Sequence, residues 1–488
     1  MGLRFSKADI IILLLGIAIF IYILVKATIS SFTIDESFSY LNYVHTSFMD
    51  IISFKSWYTN NHIMNSLLMK YSEQLFGNSE ISLRLPNLLL FSVYMVYSYL
   101  LFKRINQFLA IIIFVLLCTN NSLIDLFGLA RGYGLSFGFM LMSLYHFVQS
   151  FYDQKTKNVI LFHVGALFGV LSSFILIDFY LALIIIYNVV IFIDSKFILH
   201  KKFHFIASNK VHIIPVLINI IILYEPIRRV IMNSDLDFGG RNGFYSDTVT
   251  SLIYYSLNSL SIPSIVWIIA KIIFTGIVLL SFIIIIRMII RGDQTFFIKH
   301  KGLIISNLLI IFLSIAIILQ HIIFRADYPI ARFSLFLFPI YIIHLGFLLM
   351  YFNDYYKRVV SILALSLALI SCTSFILKAD LRSCSEWGFD METKNMIQIL
   401  TEYHSKNDND SAKIKIGINW LFEPTINFYR QTKNINWLLP ADRMGISSND
   451  DYYYVFKDEM DQLNPDSYKI IYEFTGINTV LLKNNKSD

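Results

Sequence analysis

The sequence predicts a polytopic α-helical membrane protein with a small C-terminal α/β domain, and three observations carry that expectation. Hydrophobic residues fill 56% of the 488 positions and charged residues only 15%, whereas a soluble globular protein is nearer a quarter charged. Apolar runs of bilayer-crossing length recur up to Leu377. Beyond Leu377 they stop, and a polar stretch rich in Asn, Asp and Lys follows. The surplus of Ile, Phe, Tyr, Asn and Lys is also what an AT-rich genome produces, so the aromatic residues do not by themselves mark sites. The net charge of +6 has a topological source, because cytoplasmic loops collect Lys and Arg. No nucleic-acid partner is called for. Cys118, Cys372 and Cys384 show no metal-ligand spacing and no disulfide framework.

About eleven spans are expected, each needing ~20 apolar residues. They lie near 9–29, 84–102, 108–120, 132–151, 158–174, 179–193, 211–224, 264–288, 303–324, 333–351 and 359–377. The first run is too long for the core of a signal peptide and has no small-residue cleavage site, so it should be retained. The run 158–193 is too long for one helix and is split near Asp178. Residues 252–262 read as an interfacial or re-entrant helix. Arg4 and Lys7 place the N-terminus in the cytoplasm. Alternation then puts the Lys-rich loops inside, and the 378–488 domain outside. That domain is expected to hold strands at 412–417, 452–456, 469–474 and 478–483 and a helix at 422–431.

The outer loops carry the candidate chemistry. Their cations are mostly arginines, including Arg84, Arg131, Arg241, Arg325 and Arg332. Lys would serve topology equally well, whereas Arg suits bidentate recognition of phosphate. An Arg set deep at a span end costs up to roughly 2.5–3.5 kcal/mol, which an anionic lipid phosphate would offset. Asp35-Glu36 follows the first span directly. A carboxylate there can act as a general base towards a hydroxyl, and two adjacent carboxylates repel; the plain alternative is a solvated helix end. His62, beside Asn60 and Asn61, can position substrate or join a carboxylate on a metal. A lone loop histidine more often does neither. Asp125 and Arg131, and likewise Arg325, Asp327 and Arg332, can simply pair locally, worth ~0–1 kcal/mol at a surface. Residues 235–245, with three glycines, read as a flexible loop and a candidate substrate lid.

The order Asp35-Glu36, Asn61-His62, Gly77-Asn78-Ser79-Glu80 to Arg84-Leu85-Pro86, then Ala130-Arg131-Gly132-Tyr133 resembles the GT-C superfamily of membrane glycosyltransferases. Protein O-mannosyltransferases and the lipid A aminoarabinose transferases are the nearest groups. The resemblance spans 1–151 and extends to 328–339. It implies a GT-C-like membrane domain over 1–377, with its outer loop at 30–83, and an extracytoplasmic domain over 378–488. It implies inverting transfer from a polyprenyl-phosphate-linked sugar to a lipid, glycan or protein acceptor, outside the bacterial cytoplasmic membrane. Asp35 would be the general base, Glu36 its partner, and Asp125 a further catalytic candidate. Arg84, Arg131, Tyr133, Arg241, Arg325, Arg332, Asn61 and His62 would bind substrate or lipid phosphate. Many relatives carry His-Pro-Pro where this chain has His62-Ile63-Met64, which leaves the acceptor and His62 open. No cofactor is firmly implied, although a divalent metal is possible. Two other readings use the same arginines: a ligase or polymerase with a lipid-diphosphate donor, and a lipid or sugar transporter. A transporter should show charges in mid-span and inverted repeats, and the sequence shows neither.

Overall fold

The computed structural model describes residues 6–485 except 57–59, 154, 199, 203, 233–238, 258–262, 385, 408–412 and 448. The chain is a polytopic helical membrane protein capped on one face by a small sheet domain. The helices are α1 (Lys7–Ile29), α2 (Ile34–Ser39), α3 (Phe48–Ile52), α4 (Ile63–Phe76), α5 (Glu80–Lys103), α6 (Gln107–Cys118), α7 (Asn121–Asp125), α8 (Gly132–Asp153) and α9 (Thr156–Ser172). They continue as α10 (Leu176–Ile193), α11 (Phe205–Met232), α12 (Thr250–Ser256), α13 (Ser264–Arg291), α14 (Gln294–Lys299), α15 (Lys301–Phe324), α16 (Leu337–Lys378), α17 (Thr393–Asn407) and α18 (Glu423–Thr432).

Each expected apolar run overlaps one of these helices. Among the described residues, seven helices are long and apolar enough to cross a membrane, or eight if a bent pair counts as one span. That pair is α6 with the segment from Asn121 to Gly128, bent by 66°. α9, at 17 residues, is shorter than those seven. α16 counts once, although the non-helical Tyr356 (φ −135°, ψ 47°) breaks it beside Lys357 and Arg358, where two spans were expected. Of the expected interfacial helix at 252–262, α12 supplies the first part, and 258–262 lie outside the described residues.

Short polar signals end the long helices and aim the loops that follow them. Ser30 stops α1 in an extended conformation, and three residues later Thr33 starts α2 with a capping box. The Thr33 hydroxyl accepts from Glu36 N–H, while Glu36 Oε2 accepts from Thr33 N–H at 2.9 Å. This reciprocal pairing satisfies two donors left over at a helix start. It also fixes which way Asp35 and Glu36 point, because consecutive helical residues lie on different faces.

The C-terminal sheet has the order β1-β2-β4-β3, formed by β1 (Ile416–Ile418), β2 (Tyr452–Phe456), β3 (Tyr468–Phe474) and β4 (Thr479–Asn484). β1 runs parallel to β2, and the other pairs are antiparallel. Alternation sorts β2 into two cores. Tyr453 and Val455 pack with Leu463, Val480 and Leu482, while Tyr452 and Tyr454 join the core of α17 and α18. That second core also contains Phe32, Tyr40, Val44, Met69 and Leu83 from the membrane portion's first loop and the start of α5. Phe428 stacks on Phe32 with ring centroids 4.1 Å apart, and the Tyr429 hydroxyl accepts from Phe32 N–H at 2.8 Å. The sheet domain and the loop carrying Asp35 therefore occupy one face and share one hydrophobic core. α17 had no counterpart among the expected elements.

Candidate active site

The centre of this face is a buried ion pair. Glu36 and Arg84 are both fully buried, with Arg84 Nη2 2.7 Å from Glu36 Oε2 and Nε 2.8 Å from Oε1. Arg84 Nη1 donates to the carbonyls of Ala27 and Ser30 and to the Ser30 hydroxyl, and Nη2 donates to the Ser31 carbonyl at 2.8 Å. These are orphan carbonyls at the end of α1, where a cation also meets the negative end of the helix dipole. Glu36 Oε1 accepts in addition from Ala130 N–H at 2.6 Å. The pair thus ties together the end of α1, the start of α2, α5 and the loop before α8. Every Arg84 donor group is engaged, so the expectation that Arg84 holds a lipid phosphate does not fit its placement. Glu36 has both oxygens filled and no route to an acceptor hydroxyl.

Asp35, one position earlier, faces the other way. Its side chain is 19% exposed, and Oδ2 lies 3.5 Å from Arg332 Nη2 and 3.7 Å from Arg131 Nη2. Arg131 is almost wholly buried, and its Nη1 donates to the Asp35 carbonyl, the Ser39 hydroxyl and the Asn60 carbonyl. Arg332 Nε donates to the Tyr133 hydroxyl at 3.1 Å. The same guanidinium pairs with Glu386 at 2.5 Å and lies over the Trp387 ring, 4.9 Å from its centroid. Tyr133 touches the other members of the group: its ring centre is 5.8 Å from Arg131 Cζ, 5.8 Å from Arg332 Cζ and 4.9 Å from the His62 ring.

His62 caps the start of α4 with its backbone, and its imidazole is buried against Gly132. A Cβ at Gly132 would lie 1.9 Å from the Ser172 carbonyl oxygen and 2.6 Å from His62 Cγ, so no other residue fits between Arg131 and Tyr133. Asn61 is turned away from this group, with its amide oxygen accepting from the Ser66 hydroxyl at 2.9 Å. Asn65 and Asn87 hold the same loop from beneath. Asn65 Nδ2 donates to the Ala130 carbonyl at 2.8 Å, and Asn87 Oδ1 accepts from Leu135 N–H at 3.0 Å.

The remaining candidates lie elsewhere. Asp125 does not pair with Arg131; it is buried against Lys26 at 2.6 Å, bracing α1 against α7. Arg241 is largely exposed and pairs with Asp327 at 3.0 Å. The expected lid at 235–245 is pinned where described, through the Gly240–Tyr328 bridge and Gly239 N–H to Asp327, while 235–238 lie outside the described residues. Arg325 is exposed in a left-handed turn (φ 56°) and has no ion pair among the described residues. Two members of the site had no sequence signal: Glu386 and Trp387 come from the polar region and meet Arg332 only through the fold.

Among the described residues, no three His, Cys, Asp or Glu side chains converge where they could hold a metal ion. Asp35 and Glu386, the acids nearest Arg332, are bridged by that arginine, so a cation between them would have to displace it.

A buried acid links the sheet domain to this site. Asp390 Oδ2 accepts from Ile34 N–H, at the start of α2, at 2.6 Å. Burial, with Asp35 and Glu36 adding negative charge nearby, pushes its carboxyl well above the usual range. In the window from about pH 4 to the folded value, the unfolded chain has lost a proton that the fold keeps, so stability falls as pH rises. Asp390→Asn keeps an acceptor for Ile34 and removes the titration. We expect melting temperature to decline from pH 4.5 to 7.5 less steeply in the variant than in the parent; equal slopes would refute this account of Asp390.

The chain shares its fold with ArnT from Cupriavidus metallidurans. The structures of ArnT in the apo state and bound to undecaprenyl phosphate each align over 96% of this chain and 97% of that one, at 11% identity, with TM-scores of 0.53 and 0.55. The Archaeoglobus fulgidus oligosaccharyltransferase aligns over 92% of this chain and 68% of its own, at 12% identity with a TM-score of 0.46. No protein-family model and no curated protein matches the sequence. The GT-C-like fold implied by the Asp-Glu, His and Arg-Leu-Pro order is thus matched by the ArnT structures.

Proposed function

We propose that this chain is an inverting glycosyltransferase that moves a sugar from a polyprenyl-phosphate donor to a hydroxyl acceptor at the outer face of a bacterial cytoplasmic membrane. The observation that carries the reading is the splitting of the Asp-Glu pair. Glu36 is consumed in holding the loop, while Asp35 stays accessible beside Arg131 and Arg332. In this reading Asp35 takes the proton of the acceptor hydroxyl as that oxygen bonds to the anomeric carbon. The bond from the anomeric carbon to the phosphate oxygen breaks, and polyprenyl phosphate departs with the bonding electrons. Arg332, a quarter exposed, and Arg131 stabilise its charge. Their long contacts to Asp35 leave donor capacity for a phosphate that enters between them. The fold match to a protein bound to undecaprenyl phosphate supports a lipid-phosphate donor. Tyr133 supports both arginines, and Arg84, Glu36 and Asp125 serve the site from behind. The membrane portion, 1–377, carries the chemistry and 378–488 lends Glu386 and Trp387 to Arg332.

The test incubates the purified full chain with a panel of undecaprenyl-phosphate sugars and, separately, undecaprenyl-diphosphate sugars, with labelled product as the readout. Transfer from a monophosphate donor is expected. Transfer from diphosphate donors alone would replace this reading with that of a ligase or polymerase.

A further inference from the structure

Glu386 grips Arg332 at two points. Its Oε1 accepts from the Arg332 backbone N–H at 2.7 Å, and its Oε2 accepts from Nη1 at 2.5 Å. The Tyr133 hydroxyl accepts from Nε at 3.1 Å. The rings of Tyr133, Phe333 and Trp387 surround the guanidinium, with Cζ 5.8, 5.0 and 4.9 Å from their centres. Nη2 is what remains, and its contact with Asp35 Oδ2 is long, at 3.5 Å. One edge of the guanidinium is therefore fixed while the other faces Asp35. Glu386 belongs to a short segment that also fixes Asp35. Asp390 Oδ2 accepts from the N–H of Ile34, the residue before Asp35, and the Met391 carbonyl accepts from the Ser31 hydroxyl at 3.0 Å. The segment thus anchors both sides of the gap between the carboxylate and the guanidinium.

We propose that Glu386 is a positioning residue: it holds Arg332 by one edge and offsets its charge, so that Asp35 stays free to take a proton and polyprenyl phosphate can leave. This rests on the glycosyltransferase reading and assigns Glu386 a task within it. An arginine drawn fully onto a carboxylate favours the charged form and makes a weaker base. The same unopposed arginine would also hold the departed lipid phosphate longer, which slows turnover where release is limiting. Glu386 counters both effects, because the guanidinium lies closer to it than to Asp35. The other charged groups around Asp35 are unchanged when Glu386 is replaced. Arg131 lies 3.7 Å away, the buried Asp390 faces Asp35 from the sheet-domain side, and Glu36 is closed off by Arg84. Tyr133 packs on both arginines and His62 packs on Tyr133. Burial, and then the charge of Arg131, hold the His62 imidazole well below its usual range, so it stays neutral. Tyr255 of α12 feels the Glu386 charge, and burial and then that charge push its phenol up to about 12, so it too stays neutral.

The experiment compares the full chain with its Glu386→Gln and Glu386→Asp variants. Gln keeps an acceptor for the Arg332 N–H and removes the charge, whereas Asp keeps the charge on a shorter stem. Turnover is followed against pH with whichever undecaprenyl-phosphate sugar is transferred, and undecaprenyl phosphate alone is titrated at a single pH as a binding probe. In Glu386→Gln we expect the acid limb of the kcat/KM profile to move down by roughly half to one pH unit. Its kcat on the plateau should fall roughly three- to tenfold, and undecaprenyl phosphate should bind it roughly three- to tenfold more tightly. Glu386→Asp should keep the parent's acid limb and its affinity for undecaprenyl phosphate. A purely structural role predicts something different: both variants lose turnover in step with a lowered melting temperature, and the acid limb stays where it was. That result overturns the proposal, and so does an unmoved acid limb or an unchanged or weaker lipid-phosphate affinity in Glu386→Gln. If the parent transfers no sugar at all, the glycosyltransferase reading fails first, and an active parent whose Gln variant keeps both limb and affinity sinks the Glu386 assignment alone.

Discussion

Asp35→Asn is expected to reduce glycosyl transfer by roughly 10²–10⁴-fold while the protein still folds. The substitution keeps shape and hydrogen-bonding capacity but removes the lone pair basic enough to take a proton from an acceptor hydroxyl. Little stability should go with it. The contacts of Asp35 to Arg332 and Arg131 are 3.5 and 3.7 Å long, and the side chain is 19% exposed. Ion pairs of that kind contribute about 0–1 kcal/mol. Undecaprenyl phosphate binding should hold or strengthen, because the variant removes a negative charge beside the two arginines. The three readouts are turnover, melting temperature and lipid-phosphate affinity, all on the purified full chain. Turnover that survives undiminished would remove Asp35 from the mechanism, and turnover lost together with folding would assign it a structural role.

Several features of this site were legible in the sequence, and the reasons the others were not are local. Most of the long apolar helices were visible because apolar runs of that length have few other uses in a chain with so little charge, although seven or eight of the described helices, against about eleven expected, are long and apolar enough to cross a membrane. Topology then put Asp35, Arg131 and Arg332 on one face, and the structure brings these three together. Arg84 is expected at the site because it opens a span on that face, and Glu36 because adjacency to Asp35 suggests a shared environment. Helical geometry contradicts this, since neighbours point about 100° apart and the capping box turns Glu36 inward. The signal was present: Thr33 followed three residues later by Glu36 is the capping-box pattern. Asp125 was set against Arg131 as the nearest cation in sequence, whereas its partner Lys26 lies in the last turn of the first span, 99 positions away. Glu386, Trp387 and Asp390 could not be assigned, because nothing in a polar segment shows that it will fold back onto α2.

The largest stability effect belongs to the buried pair. Glu36→Ala would leave Arg84 charged, fully buried and facing empty space, and breaking such a pair by removing one partner costs roughly 3–5 kcal/mol. Arg84 would keep its carbonyl partners at Ala27, Ser30 and Ser31, which places the cost towards the lower end of that range. Ala130 N–H and Thr33 N–H would also lose their acceptor. Arg84→Met is expected to cost as much, because it orphans those carbonyls together with Glu36. The double variant Glu36→Gln, Arg84→Met removes both charges and keeps an acceptor for Ala130, so it should cost less than the sum of Glu36→Gln and Arg84→Met measured singly. The measurement is thermal unfolding in detergent of the parent, Glu36→Ala, Glu36→Gln, Arg84→Met and the double. Activity should follow stability here, in contrast to Asp35→Asn. Were Glu36→Ala to melt like the parent and lose only turnover, Glu36 would act on substrate and the division of labour between the two carboxylates would be wrong. The contrast between the two neighbours tests the site more sharply than either variant alone, because the same helix turn must yield an inactive but stable protein at one position and an unstable one at the next.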